Sequence, residues 1–199
     1  MNIPKLSVVI PAYNCADLIL KCLESLEKQI SDPNDFEVII VDDGSTDETR
    51  EILENFARQS SLNFVLLHPP HLGPATARNI AIDIAKADWV GFLDADMITS
   101  SNWVKRGLEL IKNDPPVGGF EGCTRIGDVE KVTPFTHQTC NTRGGRYPTC
   151  NLILRKTLCK FNTAYHIPFR EDTDLAFSIL ESGFEIAFDN KLLAFHPPL

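Results

Sequence analysis

The stretch Trp89-Val90-Gly91-Phe92-Leu93-Asp94-Ala95-Asp96 carries the strongest chemical signal in the chain. Its apolar run, with no in/out alternation, predicts a strand covered on both faces, as in the parallel sheets of α/β proteins. The run ends in two carboxylates at i and i+2, which at a strand end point the same way. At 4 Å and an effective dielectric near 20 their repulsion is about 4 kcal/mol, so the pair must stay hydrated, share a proton or hold a cation. Hard oxygen donors suit Mg²⁺ or Mn²⁺, and a cation held by one or two carboxylates takes its remaining ligands from water and substrate phosphates.

Similar apolar runs precede this one: Leu6 to Ile10, stopping at Pro11, then Phe36 to Val41, then Asn63 to Leu67. Helical periods lie between them. Leu18, Ile19, Cys22, Leu23 and Leu26 mark one face, and Ile52, Leu53 and Phe56 another, with Asp47 able to cap that second helix after the Gly44-Ser45 turn. A third helix is expected over Ala75 to Ala87, after Gly73-Pro74. Strands and helices in strict alternation imply a doubly wound, mainly parallel α/β sheet. Past residue 113 the texture changes, with Asp114-Pro115-Pro116 and then frequent glycines. Residues 126–148 are expected to form a long loop or lid, followed by a strand from Cys150 to Leu154, a helix from Asp172 to Ser182 ended by Gly183, and a last strand from Phe184 to Phe188. The expected organisation is one domain over 1–199, with a nucleotide-binding half (1–113) and an acceptor and catalytic half (114–199).

Composition narrows the partners. The 199 residues are 43% hydrophobic and carry a net charge of −8, which argues against a nucleic-acid-coating face or a polybasic membrane patch. No apolar run approaches the ~20 residues a bilayer requires. The opening, MNIPKLSVVIPAYN, has no charged n-region or long apolar stretch, so a cytoplasmic protein is expected, with at most peripheral contact at the inner membrane face. The six cysteines (15, 22, 123, 140, 150 and 159) form no CxxC pair or zinc-like spacing and are expected as small buried hydrophobes.

Open parallel sheets place ligands at the carboxyl ends of their strands. Those ends carry Pro11-Ala12-Tyr13-Asn14, Asp42-Asp43-Gly44-Ser45-Thr46-Asp47, Gly73-Pro74-Ala75-Thr76-Ala77-Arg78-Asn79 (after the third strand) and Asp94-Ala95-Asp96. No GxGxxG or GxxxxGK[ST] is present, so any phosphates would fall to metal and helix N-termini. Together with Arg170-Glu171-Asp172-Thr173-Asp174-Leu175, these segments resemble, in order and approximate spacing, the family 2 glycosyltransferases of the GT-A fold.

The resemblance implies a doubly wound, three-layer αβα domain that transfers a sugar, with inversion, from a nucleotide diphosphate, often UDP. The acceptor is expected to be a carbohydrate, lipid-linked or protein hydroxyl, and no nucleic-acid partner is expected. Carried over by position, Pro11, Tyr13 and Asp43 would hold base and ribose, Arg78 would lie near the nucleotide sugar, and Glu171 would contact substrate. Asp94 would touch ribose or metal, Asp96 would bind the Mn²⁺ or Mg²⁺ that bridges the pyrophosphate, His196 would add a third metal contact, and Asp172 would be the general base. Two departures stand out. Ser178 occupies the position, four after the second acid of E-D-x-D, where members commonly carry arginine, and no Q-x-x-R-W is found beyond it, which speaks against processive polysaccharide synthesis. A nucleotidyltransferase and a non-catalytic binding relative are the rival expectations. The first should carry a glycine-rich basic loop after its first strand, and Pro11-Ala12-Tyr13-Asn14 is not one.

Overall fold

The computed structural model describes residues 3–127, 139–164 and 170–198. Among them the strands are β1 (Leu6–Ala12), β2 (Phe36–Asp42), β3 (Phe64–Leu67), β4 (Trp89–Leu93), β5 (Ile98–Thr99), β6 (Gly119–Ile126), β7 (Asn151–Arg155) and β8 (Ile186–His196). The helices are α1 (Ala16–Glu27), α2 (Thr49–Gln59), α3 (Pro74–Ile84), α4 (Trp103–Ile111) and α5 (Glu171–Glu181). All strands join one sheet in the order β3-β2-β1-β4-β7-β6-β8-β5. The β3-β2-β1-β4 half is parallel, β7 runs antiparallel to both β4 and β6, and β6 returns to a parallel pairing with β8. Because β2 and β4 flank β1 on opposite sides, the strand order reverses there and opens a crevice at the carboxyl ends.

The expected three layers arise from side-chain alternation across the sheet. Leu6, Val8 and Ile10 of β1, Phe36, Val38 and Ile40 of β2, and Ile153 of β7 pack with α1, α2 and α4 on one face. Val9, Ile39, Val41, Val90, Phe92, Leu152 and Leu154 point the other way, against α3 and α5. A strand with an apolar layer on each side is apolar at nearly every position, which is why these runs show no polar alternation; the exceptions, Ser7 and Glu37, bond each other at 2.7 Å.

Several boundaries differ from the sequence reading. β1 continues through Pro11, because its pairing with β4 ends at Val9, so the missing Pro11 donor breaks no ladder on that side. Helix α3 stops at Ile84 rather than Ala87, because tertiary acceptors capture the next donors: Lys86 N–H bonds Glu37 Oε1 at 2.7 Å and Ala87 N–H bonds Ser7 Oγ at 3.1 Å. The last strand runs to His196. It passes a bulge opposite Gly122/Cys123, where Asp189 Oδ1 accepts the N–H groups of Lys191 and Leu192. Elements β5, β6 and α4 were not anticipated. In β6 a Cβ on Gly119 would collide with Leu154 and the Ile153 carbonyl, so a residue that weakens an isolated strand is required by close backbone approach. No described helix is long and apolar enough to cross a membrane. No disulfide forms among the cysteines. Cys22, Cys123, Cys150 and Cys159 are buried, and burial pushes the half-buried Cys15 thiol up to about 11.

Candidate active site

The carboxyl ends of β1, β2 and β4 and the start of α5 converge on a cleft of about 830 Å³. Pro11, Tyr13, Asp43, Arg78, Asp94, Asp96, Glu171 and Asp172 all line it. A larger hollow of about 1010 Å³ lies elsewhere, bordered by Ile3, Lys86 and Lys112, and contains none of the strand-end acids. Chemistry rather than volume singles out the first.

At one end of the cleft, Asp42 and Asp43 close β2 and are both buried. Asp42 Oδ1 accepts the Ser45 N–H at 3.0 Å, and its Oδ2 lies 3.0 Å from His68 Nδ1. Asp43 accepts the N–H groups of Leu72 at 2.8 Å and Gly73 at 2.9 Å, holding the segment that leads into α3. Beside it the rings of Tyr13 and His71 stack with centroids 4.3 Å apart. Gly44 adopts φ +75, and a Cβ there would press on the His71 nitrogen at 2.9 Å, so the two loops meet closely.

Arg78 ties the centre together. It is buried, donating from Nη1 to Glu171 Oε1 at 2.8 Å and from Nη2 to Asp94 Oδ1 at 3.1 Å, with its Cζ 5.4 Å from the Phe161 ring centroid. One cation thus bridges the end of β4 and the start of α5, which lie far apart in sequence. Its Nε is buried without a partner.

Asp94 and Asp96 do not face each other as an isolated pair. Asp94 turns one oxygen to Arg78, whereas Asp96 Oδ2 lies 3.5 Å from His196 Nε2. His196 Nδ1 sits 2.7 Å from the Pro197 carbonyl oxygen, which can only accept, so Nδ1 carries a proton and Nε2 is the ring nitrogen turned toward Asp96. Asp96 Oδ1 is buried with no partner. Burial, with the Asp94 charge adding to it, holds the Asp96 carboxyl above its ordinary pKa, and His196 opposes the shift. The two Asp96 oxygens, one of them orphaned, and the His196 ring nitrogen are a donor set that suits a hard cation. The described residues contain no cluster of three or more His, Cys, Asp or Glu side chains able to hold a metal, so a cation here would need further ligands from water or substrate. His196 itself is buried and does not line the cleft.

Across the cleft, α5 begins with Glu171, Asp172 and Asp174, where the helix N-terminus favours carboxylates. Its N-cap, Arg170, is left-handed at φ 65. Glu171 is consumed by Arg78. Asp172 accepts the Thr173 N–H at 2.7 Å, and burial lifts its carboxyl above the usual range, aided by the Glu171 charge and opposed by Thr173 and Arg78. Ser178, at the position of the missing arginine, is exposed on α5.

The sequence reading overlooked three residues of this region. His68 and His71 come after β3 in a Pro-rich segment, and only their spacing from Asp42 and Asp43 in space reveals them. The third is Glu121 of β6. It is fully buried, accepting the N–H groups of Gly145 at 2.6 Å and Arg146 at 2.9 Å, that of Tyr147, and the Asn141 amide at 2.9 Å. The expected lid lies partly outside the described residues (128–138); its remainder is pinned as a nest around this carboxylate. Arg143 and Arg146 are exposed on that pinned segment, which continues into the cleft-lining Pro148, Thr149 and Cys150. Replacing Glu121 with Gln turns an amide NH₂ toward backbone donors, and is expected to cost about 1–3 kcal/mol. Faster amide exchange at 145–147 together with a lower urea midpoint would register it; unchanged exchange there would show that the nest does not depend on the charge.

A parallel half-sheet with its acidic strand ends gathered at one switch-point cleft, continued by a mixed second half, defines a GT-A-type α/β domain. The family model for glycosyl transferase family 2 matches residues 7–178, and the chain belongs to that family. Glycosyltransferase AglE of Haloferax volcanii is 30% identical over 164 residues, covering 82% of this chain and 51% of that protein. A poly(ribitol-phosphate) beta-glucosyltransferase of Bacillus spizizenii is 38% identical over 127 residues, covering 62% of this chain and 20% of that protein. Among solved structures, the mannosyltransferase PcManGT of Pyrobaculum calidifontis, in complex with GDP-Man and Mn²⁺, superposes with a TM-score of 0.77 at 23% identity, covering 97% of this chain and 56% of that one. Staphylococcus aureus TarS 1-349 with UDP-GlcNAc gives 0.72 at 23% identity, covering 98% and 55%. The chain therefore spans about half the length of AglE and of both structural neighbours, and a fifth of the Bacillus protein.

Proposed function

We propose that this chain is the donor-binding and catalytic domain of an inverting glycosyltransferase, moving a sugar from a nucleoside diphosphate to a hydroxyl of a carbohydrate, lipid-linked or protein acceptor. The observation that carries the proposal is one cleft lined by both Asp96, with His196 buried behind it, and Asp172, while Arg78 joins Asp94 to Glu171 between them. UDP is the first donor to test, followed by GDP, since sugar donors of both kinds are named for the structural neighbours.

Asp96 and His196, with Asp94 at the rim, are the residues that would hold a divalent cation. When bound, that ion would supply charge neutralisation to the leaving diphosphate without proton transfer. The protein's own residues do the rest. Pro11, Tyr13 and the segment held by Asp43 would seat the nucleoside. Asp172 would take the proton of the acceptor hydroxyl while its oxygen forms the new bond to the anomeric carbon and the bond to the diphosphate oxygen breaks on the opposite face. A carboxylate with a raised pKa is a stronger base than an exposed one, and positioned proton removal contributes roughly 10²–10⁴ in rate. Attack opposite the leaving group inverts the anomeric centre.

Calorimetric titration of UDP, GDP, CDP and ADP, each with and without Mn²⁺, tests the reading. At least one nucleotide should bind with Mn²⁺ and far more weakly without it. If none binds under either condition, the chain is a relative that keeps the fold without donor recognition.

A further inference from the structure

The Asp96–His196 pair is assembled from two chain segments that a short insertion brings into step. β6 and β8 pair in one register from Gly119 opposite Ile186 to Gly122 opposite Asp189, and in another from Cys123 opposite Leu193 to Ile126 opposite His196. Between the two, β6 advances by one residue and β8 by four, so β8 carries three extra residues, Asn190 to Leu192. Had the first register continued, Leu193 would stand opposite Ile126, and His196 would overshoot it by about 10 Å at ~3.3 Å per residue. An odd number of extra residues also changes the face that β8 presents. Ile186 packs in the layer with α3 and α5, whereas Leu192 and Ala194 pack in the layer with α1 and α4. By the same alternation His196 shares their side.

The extra residues are held from α4. Asp189 Oδ1 accepts the Lys191 and Leu192 N–H groups, and Arg106 grips the same carboxylate twice, Nε to Oδ1 at 3.1 Å and Nη2 to Oδ2 at 2.7 Å. Three residues earlier on α4, Trp103 donates at 2.8 Å to Oδ1 of the fully buried Asn151. The Asn151 amide nitrogen donates in turn to the Leu192 and Cys123 carbonyls, each at 3.0 Å. Beyond the bulge β8 meets β5, which begins two residues after Asp96. Ile98 stands opposite Phe195, and the Ser100 N–H bonds the Leu193 carbonyl at 3.0 Å. Both members of the pair are therefore fixed by where residues 193–196 lie.

We infer that the bulge of β8 sets His196 against Asp96, and that Asp189, Arg106 and Asn151 are positioning residues for the cation site. None of the three lines the cleft; they act through the point at which β8 resumes its pairing. With the clamp released, each residue of slip would carry His196 about 3.3 Å along the strand and turn it to the other face. A metal ligand tolerates displacements of only about 0.2 Å. The inference rests on the cation site of the proposed function and adds to it the part of the fold that builds the site.

The test is a double-mutant cycle read on Mn²⁺ uptake rather than on turnover. Mn²⁺ alone is titrated into wild type, Asp189→Ala, His196→Ala and the double variant, following the free ion by electron paramagnetic resonance, with thermal unfolding to establish that each is folded. Asp189→Ala should weaken Mn²⁺ binding about tenfold or more in the wild-type background, the usual effect of losing a group that orients a ligand. With His196 already absent the same change should cost less than about twofold, because the imidazole it positions is gone. Asp189→Asn keeps an oxygen for the Lys191 and Leu192 N–H groups and should recover most of the affinity. Should Asp189→Ala fail to fold, Arg106→Gln, which removes the tether to α4 and leaves the Asp189 turn, carries the same cycle. The inference is overturned if the folded clamp variant binds Mn²⁺ as wild type does. It is overturned equally if the loss is the same in both backgrounds, since a lost negative charge or a general loosening would act in that way. If wild type takes up no Mn²⁺, the cation site itself falls, and its positioning with it.

Discussion

Replacing Asp172 with Asn is expected to leave Mn²⁺-dependent nucleotide binding within about twofold of wild type and to cut sugar transfer by roughly 10²–10⁴. The two effects separate because Asp172 sits at the start of α5, away from the strand ends, and among the described residues its carboxylate bonds to Thr173 alone. Asparagine is isosteric and preserves the oxygen that accepts the Thr173 N–H, so the helix start should stay in place. What disappears is the basic oxygen. The same residue sets a pH signature. A base must be ionised to act, and burial holds this carboxyl above its ordinary range, so the acid limb of kcat/KM should lie above that of an exposed aspartate and should vanish in the variant. Single-turnover measurements with donor and acceptor at several pH values read both effects. A variant that turns over normally removes Asp172 as the base.

The second large effect concerns Asp96. Without metal, Asp96→Asn is expected to raise the melting temperature; with Mn²⁺ and UDP, it is expected to abolish the stabilisation seen in wild type. Burial raises the Asp96 pKa in the folded protein, so the stabilising contribution of its protonated form is lost as pH climbs through that raised value. Where Asp96 is ionised, the folded state holds a carboxylate with one oxygen buried and unpartnered. Removing the charge relieves that penalty, and in a domain of this size each kcal/mol relieved appears as about 2–4 °C. Ligand at a hundred times its dissociation constant stabilises by about 2.7 kcal/mol, so wild type with Mn²⁺ and UDP should gain roughly 5–10 °C, and the variant almost none. Thermal scans in matched buffers, with and without Mn²⁺, suffice. An unchanged Mn²⁺-dependent shift in the variant would remove Asp96 from the cation site.

Much of this site was legible because its residues come directly after apolar strands. Each of β1, β2 and β4 is a run with no polar alternation, and the residues at the end of such a run must emerge at the carboxyl edge of the sheet. Arg78 was legible only as a position in a motif. That its guanidinium spans Asp94 and Glu171 depends on α3 and α5 packing on the same face of the sheet, which no local pattern states. His71 and Glu121 were illegible for a related reason. A histidine in a Pro-rich loop and a glutamate in a glycine-rich strand look solvated until the chain brings Asp43 to the first and the 145–147 amides to the second.

The sequence alone determined the β1-α1-β2-α2-β3-α3-β4 order, the parallel first half and the acidic character of its edge, because covered strands and amphipathic helices write their periods into neighbouring residues. Tertiary structure decided where those acids turn. Asp94 and Asp96, adjacent in motif, part company toward Arg78 and His196, since a buried charge takes whichever counter-group the packed chain delivers within reach. It also ended α3 early, drew Gly119 against β7, and committed Asp43 to the segment that leads into α3. Each of these outcomes depends on a contact between residues distant in sequence, and such contacts exist only once the sheet has closed around them.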